Sequence, residues 1–265
     1  MATFDMLSTT HCPQYINRFL NGELTPIENR RIGFPWSLEG VRRTTSSVGG
    51  TVAAMKAVCL NECDVSGHLA GGTHHAFYDR GEGFCVFSDI AVAANIALTV
   101  HKEVVQKILI IDLDVHQGNG NSCLFKDNRQ VFTLSLHCKD NYFSEKQKSD
   151  VDVEVNGGAG DDEYNELVEF WVSYCMKEVR PDLVFFQAGV DIFQGDRLGK
   201  LKISREGIRT RNSIVYNAVK NSSARLVITM GGGYPKDLNP TSSSFLDIIG
   251  AHIDVYRQCL SDNHV

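Results

Sequence analysis

No run of lysine and arginine longer than a pair occurs in this chain, and 26 basic residues face 32 acidic ones for a formal charge of −6. Capturing nucleic acid through its phosphates needs a concentrated basic surface, so direct nucleic-acid binding is disfavoured. The chain also lacks an uninterrupted apolar stretch of about 18 residues and a charged-then-apolar leader, which argues against a membrane span and a secretory signal. None of the eight cysteines forms a Cys-x-x-Cys pair. Most sit among apolar residues and read as free thiols of a reducing compartment, cytosolic or nuclear. Proline is scarce, at 6 residues, and no repeat, low-complexity tract or dividing linker is found. One α/β domain spanning residues 1–265 is therefore expected.

What the chain does contain is four short runs rich in Val, Ile, Leu or Phe, at 107–113, 130–136, 183–188 and 224–230. Their length and composition predict strands buried on both faces of a parallel sheet. Helical spacing fills the segments between and after them, at 46–61, 88–101, 161–180, 204–220 and 243–256. The helix at 161–180 opens on acids and closes on Lys177 and Arg180, in keeping with its macrodipole, and Ser204 suits an N-cap. Strands alternating with helices predict a single three-layer α/β sandwich around a mostly parallel sheet. About forty N-terminal residues read as helix plus loops. Residues 139–160 form the longest stretch without a convincing element, a length that tends to mark a functional or mobile loop.

Ligands of open α/β sheets sit at the carboxyl ends of the strands. The first run leads into Asp112-Leu113-Asp114-Val115-His116-Gln117-Gly118-Asn119-Gly120, the third into Gly189-Val190-Asp191, and the fourth into Gly231-Gly232-Gly233-Tyr234. A further loop carries Gly71-Gly72-Thr73-His74-His75. Each piece has an ordinary reading: an Asp after a strand caps a helix, a His pair is a structural hydrogen-bonding pair, and a Gly-rich stretch is a tight turn. Together they deliver acids, imidazoles and a phenol to one rim. Asp114, His116 and Asp191 offer two carboxylates and one nitrogen, and three protein ligands with an open position are the pattern of a catalytic zinc site. Such a site still needs a proton acceptor, for which His74 and His75 are suited, and an oxyanion donor, for which Tyr234 is suited.

The stretches GGTHHAFYDRGEGFCVFSDIAVAA, IDLDVHQGNG, FQAGVDIFQGDRLG and MGGGY resemble, in order, the motifs of the histone-deacetylase family within the arginase–deacetylase superfamily. The likeness runs from about Tyr15 to about Ile253, and the HQGNG and GDRLG variants resemble the class IV branch and its bacterial relatives. This implies an arginase/deacetylase-like fold and zinc-dependent hydrolysis of acyl-lysine amides, on histones or other proteins, including removal of long fatty acyl groups. It implies Zn2+ on Asp114, His116 and Asp191, His75 as general base and acid, His74 as electrostatic support, and Tyr234 as oxyanion donor. Phe84 and Gly83 would line the acyl-lysine tunnel, with Tyr142 and Phe143 as candidates for its opposite wall. A structural K+ would be held by Asp112, Asp114, His116, Ser135 and Leu136, with Asp112 also orienting His74. A chromatin and transcription regulator of the nucleus or cytoplasm, with corepressor partners, follows from the resemblance alone.

Two departures from the family pattern bear on activity. Asn119 stands where many members place an Asp beside the general base, which should lower the pKa of His75. Family domains also carry several dozen residues before the point matching His11, including a first strand, so an N-terminally truncated domain with an open sheet edge is expected. Two other readings are deacylation of acetylpolyamines or other small amides, and a catalytically weak regulatory isoform. A binuclear manganese site of the arginase kind fits poorly, because Asp112, Gln117 and Asn119 do not supply a second set of carboxylates.

Overall fold

The structure, a computed structural model, describes residues 1–142 and 144–262. Six parallel strands form one sheet: β1 (Val65–His68), β2 (Ile108–Asp112), β3 (Val131–Cys138), β4 (Val151–Val155), β5 (Leu183–Gln187) and β6 (Arg225–Thr229). Their order is β1-β6-β5-β2-β3-β4, with every pairing parallel. All five residues of β2 and of β5 are buried. Their side chains alternate between two cores, as a period of two requires. Leu109, Ile111, Val184, Phe186, Leu226 and Ile228 enter one core, while Ile108, Ile110, Leu183, Phe185 and Val227 enter the other. Each fully buried Leu, Ile or Val contributes about 1.5–3 kcal/mol, so register in these central strands is strongly specified.

Helices α7 (Asp161–Val179), α8 (Arg205–Lys220) and α9 (Ser243–Asp262) cover the first core. Helices α4 (Leu38–Cys59) and α5 (Asp89–Val100) cover the second, beside the short helices α1 (Phe4–Ser8), α2 (Pro13–Leu20) and α3 (Pro26–Ile32). The remaining helix, α6 (Asn119–Phe125), follows β2. The four expected strands and five expected helices are present, with boundaries displaced by a few residues.

The largest boundary difference is α4, which starts at Leu38 rather than 46, capped by the Ser37 hydroxyl accepting from Gly40 N–H at 2.9 Å. Two strands were not expected. Strand β1 has four residues including Gly67, and β4, within the 139–160 stretch read as elementless, alternates Val with Asp and Glu. Both are edge strands, where one row of backbone groups and half the side chains meet solvent, so neither has the apolar signature of the central four. Helix α6 occupies what read as a Gly-rich turn. Among the described residues no helix is long and apolar enough to cross a membrane, and no disulfide forms.

The chain leaves β2 toward β3 and β4, then returns on the other side of β2 at β5 and β6. The reversal lies between β2 and β5, and a crevice opens at such a point beyond the carboxyl ends of the strands.

Candidate metal centre

Asp114 and His116 follow β2, and Asp191 follows β5, so the reversal brings them together. Ligand atoms of these three buried residues lie within 4.8 Å of one another. His116 Nδ1 is 3.1 Å from Asp114 Oδ1 and 3.1 Å from Asp191 Oδ2. Bonds of about 2.0–2.2 Å at tetrahedral angles put ligand atoms roughly 3.3 Å apart, so the spacing suits one small divalent ion. The outer oxygens are tied down: Gly232 N–H donates to Asp114 Oδ2 at 2.8 Å and Val115 N–H to Asp191 Oδ1 at 2.9 Å. Asp191 Oδ2, turned inward, is buried without a hydrogen bond. A Cβ on residue 232 would run into both carboxylates, which explains the glycine there. Burial and the Asp114 charge push Asp191 up to about 7. A cation between the acids would relieve both effects, so these residues fit a metal.

Behind the acids lies Arg211 of α8, fully buried. Its Nη1 donates to Gly189 O at 2.5 Å and Leu113 O at 3.5 Å, and its Nη2 to Ala188 O at 3.3 Å. One guanidinium therefore bridges both ligand-bearing segments. Asp196 performs a similar task at the rim. Its Oδ2 accepts from Tyr234 N–H at 2.6 Å, while its Oδ1 accepts from Leu198 and Gly199 N–H.

The His74–His75 loop is held by Asp89, in the first turn of α5, which accepts from the N–H groups of Gly72 and Thr73 and the hydroxyls of Thr51 and Thr73. His74 Nδ1 lies 2.7 Å from Asp112 Oδ2. Burial alone would lower its pKa, but Asp112 and Asp114 overcome this and hold it up to about 9. His75 Nδ1 lies 2.7 Å from Asn119 Oδ1. Burial, then the neighbouring imidazoles of His74 and His116, drive its pKa well below the ordinary value. Adjacent histidines with pKa values pushed apart are suited to different roles. Burial and the carboxylates of Asp191 and Asp114 raise the phenol of Tyr234, so it keeps its proton.

A cavity of about 360 Å³ descends to His75, His116 and Tyr234, walled by Phe84, Gly83, Tyr142 and Leu198, with Arg30 and Arg31 of α3 also in its lining. The Phe84 wall is set by a tight turn. Glu82 and Cys85 pair as a bridge, and between them Gly83 and Phe84 have φ of 53° and 68°. Positive φ at both central positions is the requirement of a type I′ turn. Phe84 adopts it at a cost of roughly 1–2 kcal/mol, which holds its ring 45% exposed at the tunnel. The N–H groups of Gly83 and Phe84 donate to Arg31 O and Ile32 O, docking the turn on α3. Tyr142 forms the opposite wall, stacked on His75 with centroids 4.2 Å apart at 9°. Phe143 lies outside the described residues.

The structure thus gathers Asp114, His116, Asp191, His74, His75, Tyr234, Gly83, Phe84 and Asn119 around one cavity floor and wall. Asp112 and Ser135 are register partners on β2 and β3, and Gly118 N–H donates to Ser135 Oγ at 3.3 Å. Leu136 turns its side chain into the core, leaving its backbone carbonyl as its ligand atom for a cation. Sequence reasoning missed Arg211, Asp196 and Glu82. Only Asp196 had a usable signal, a polar Gly195–Gly199 turn close after Asp191.

Residues 1–247 match the family described as histone deacetylase domain. The chain is 41% identical over 234 residues to an uncharacterized protein of Picosynechococcus sp., covering 88% of this chain and 76% of that one. It is 35% identical over 192 residues to Histone deacetylase 2 of Arabidopsis thaliana, covering 71% and 49%. With Histone deacetylase clr6 of Schizosaccharomyces pombe the identity is 32% over 199 residues, covering 71% and 47%. The chain spans about half the length of these two named deacetylases.

Proposed function

The chain belongs to the histone deacetylase family, and from that premise we propose that it is a zinc-dependent hydrolase of acyl-lysine amides. The observation that carries this reading is the convergence of Asp114, His116 and Asp191 on one point at the floor of a narrow cavity, beside His75 and Tyr234. When bound, zinc supplies Lewis acidity, polarising a carbonyl and making water acidic near neutral pH.

The chain's own groups do the rest. Phe84 and Tyr142 flank the alkyl stem and exclude water. His75 carries its proton on Nδ1, toward Asn119, and offers Nε2 to take a proton from water and pass it to the leaving amine. His74, held cationic by Asp112, steadies negative charge beside it. Tyr234 donates its phenolic hydrogen to the oxyanion. Asp112, Asp114, His116, Ser135 and the Leu136 carbonyl are assigned to a monovalent cation, most simply K+. Histones as substrates, corepressor partners and a nuclear or cytoplasmic place of action are part of the reading by kinship alone.

Purification with metal analysis and turnover on acetyl-lysine, myristoyl-lysine and acetylspermidine tests the proposal. One equivalent of zinc with hydrolysis of an acyl-lysine is expected. Turnover of acetylspermidine alone, or bound zinc with no hydrolysis of any substrate, overturns it.

A further inference from the structure

The general-base candidate has no carboxylate on its Nδ1, yet an acid stands one residue farther out. Glu82 is 5% exposed and makes no ion pair among the described residues. Its Oε1 accepts from Asn119 Nδ2 at 3.3 Å and from Tyr142 Oη at 3.2 Å. Asn119 Oδ1 in turn accepts from Gly120 N–H at 3.0 Å and faces His75 Nδ1 at 2.7 Å. Besides the neighbouring imidazoles of His74 and His116, the His75 ring meets the Asn119 amide at its edge and the Tyr142 ring on its face. These last two converge on one carboxylate oxygen.

We propose that Glu82 is the positioning residue of His75, acting through Asn119 and Tyr142. Asn119 donates from its NH2 to Glu82 Oε1, so its oxygen is the atom presented to His75. An oxygen at that place demands a proton on Nδ1 and leaves Nε2 bare toward the cavity. The second bond, from Tyr142, holds flat against the imidazole the ring that forms the tunnel wall. The type I′ turn contributes directly, since the Glu82–Cys85 bridge directs Glu82 inward while the turn sets Phe84 outward. The geometric part stands on these contacts; its consequence for turnover rests on the function proposed above.

Nitrogen NMR of the His75 imidazole, together with kcat and KM, tests this in Glu82→Gln and Glu82→Leu. The wild-type protein should show the Nδ1–H form alone. The leucine variant, with no acceptor, should show a mixture of tautomers and lose roughly tenfold or more in kcat at little change in KM. Glutamine keeps an oxygen but can also turn an NH2 toward Asn119, so a smaller Nε2–H fraction and a severalfold loss are expected. If the leucine variant does not fold, the glutamine variant decides. A pure Nδ1–H spectrum with unchanged kcat in the folded variants overturns the proposal. Tautomer shifts in a protein whose wild type hydrolyses nothing would refute the enzymatic reading and leave the positioning role standing.

Discussion

Asp191 gives one oxygen to Val115 N–H and turns the other inward. Asp114 accepts from Gly232 N–H on one oxygen, while the other, which accepts from His116 N–H, lies 3.1 Å from His116 Nδ1. Removing either acid should therefore empty the site, while removing Tyr234 should not. Asp191→Ala is expected to lose zinc and activity together. Tyr234→Phe is expected to keep zinc and lose on the order of a hundred- to a thousandfold in kcat, as for a deleted oxyanion donor. Metal analysis alongside initial rates separates the two, and full activity in Tyr234→Phe would remove it from the chemistry. At the same scale, Asn119→Asp places a negative charge 2.7 Å from the low-pKa imidazole of His75. Opposite charge favours the protonated form, so the acidic limb of the kcat/KM profile should move to higher pH. A profile that does not move would uncouple residue 119 from the base.

Among the elements, α8 contributes no candidate ligand yet determines where two loops lie. Arg211 donates from its interior face to carbonyls on the segments after β2 and β5. Arg211→Met fills much of the same volume but leaves those carbonyls buried without a donor, each a penalty of about 1–3 kcal/mol. Denaturant unfolding of the metal-free protein should show a loss of that order or more, and Arg211→Lys should recover only part, since an ammonium lacks the planar fork. A loss below about 0.5 kcal/mol would mean the loops hold their places unaided. Elements were legible in the sequence in proportion to their burial. Strands β2 and β5 are apolar up to their last residues, Asp112 and Gln187, because both faces are covered. In contrast, β1 and β4 are edge strands that carry polar residues, among them the exposed Asp152 and Glu154 and the half-buried His68, which hydrogen-bonds with Thr51 of α4.

For the molecule as a whole, acid stability should be governed in part by neutral buried histidines. His11 accepts from Ser88 N–H at Nε2 and so carries its proton on Nδ1, toward Phe77 O. Burial lowers its pKa from 6.5 to about 4. The unfolded chain therefore binds the proton first: the stability is whole above the unfolded value and drains as pH falls from 6.5 toward 4. Between about pH 7 and about pH 5 this group should cost roughly 2 kcal/mol, and His11→Asn should shrink the measured difference by a similar amount. An undiminished difference would assign the acid sensitivity elsewhere. Charge also differs between surface and mouth. The chain carries −6 overall, yet Arg30 and Arg31 line the cavity with no acid in its lining among the described residues. Acyl-lysine peptides with acidic flanks should show a lower KM than those with basic flanks, and the gap should narrow in high salt. Equal KM values would deny the arginines any part in selection.

The linear chain already carried the candidate ligands Asp114, His116 and Asp191 and the candidate donor Tyr234, because a parallel sheet puts its chemistry in the few polar residues after apolar strands. It carried the central strands for the same reason. His74 and His75 were legible as an adjacent histidine pair in a Gly-rich loop, although the strand before them, β1, is not apolar. Glu82, Arg211 and the stacking of Tyr142 on His75 were decided only in three dimensions. Glu82 reaches Asn119 across 37 positions and Arg211 reaches Leu113 across 98. Neither follows an apolar strand, and a buried charge owes its place to the carbonyl or amide that folding sets beside it, which no local pattern encodes.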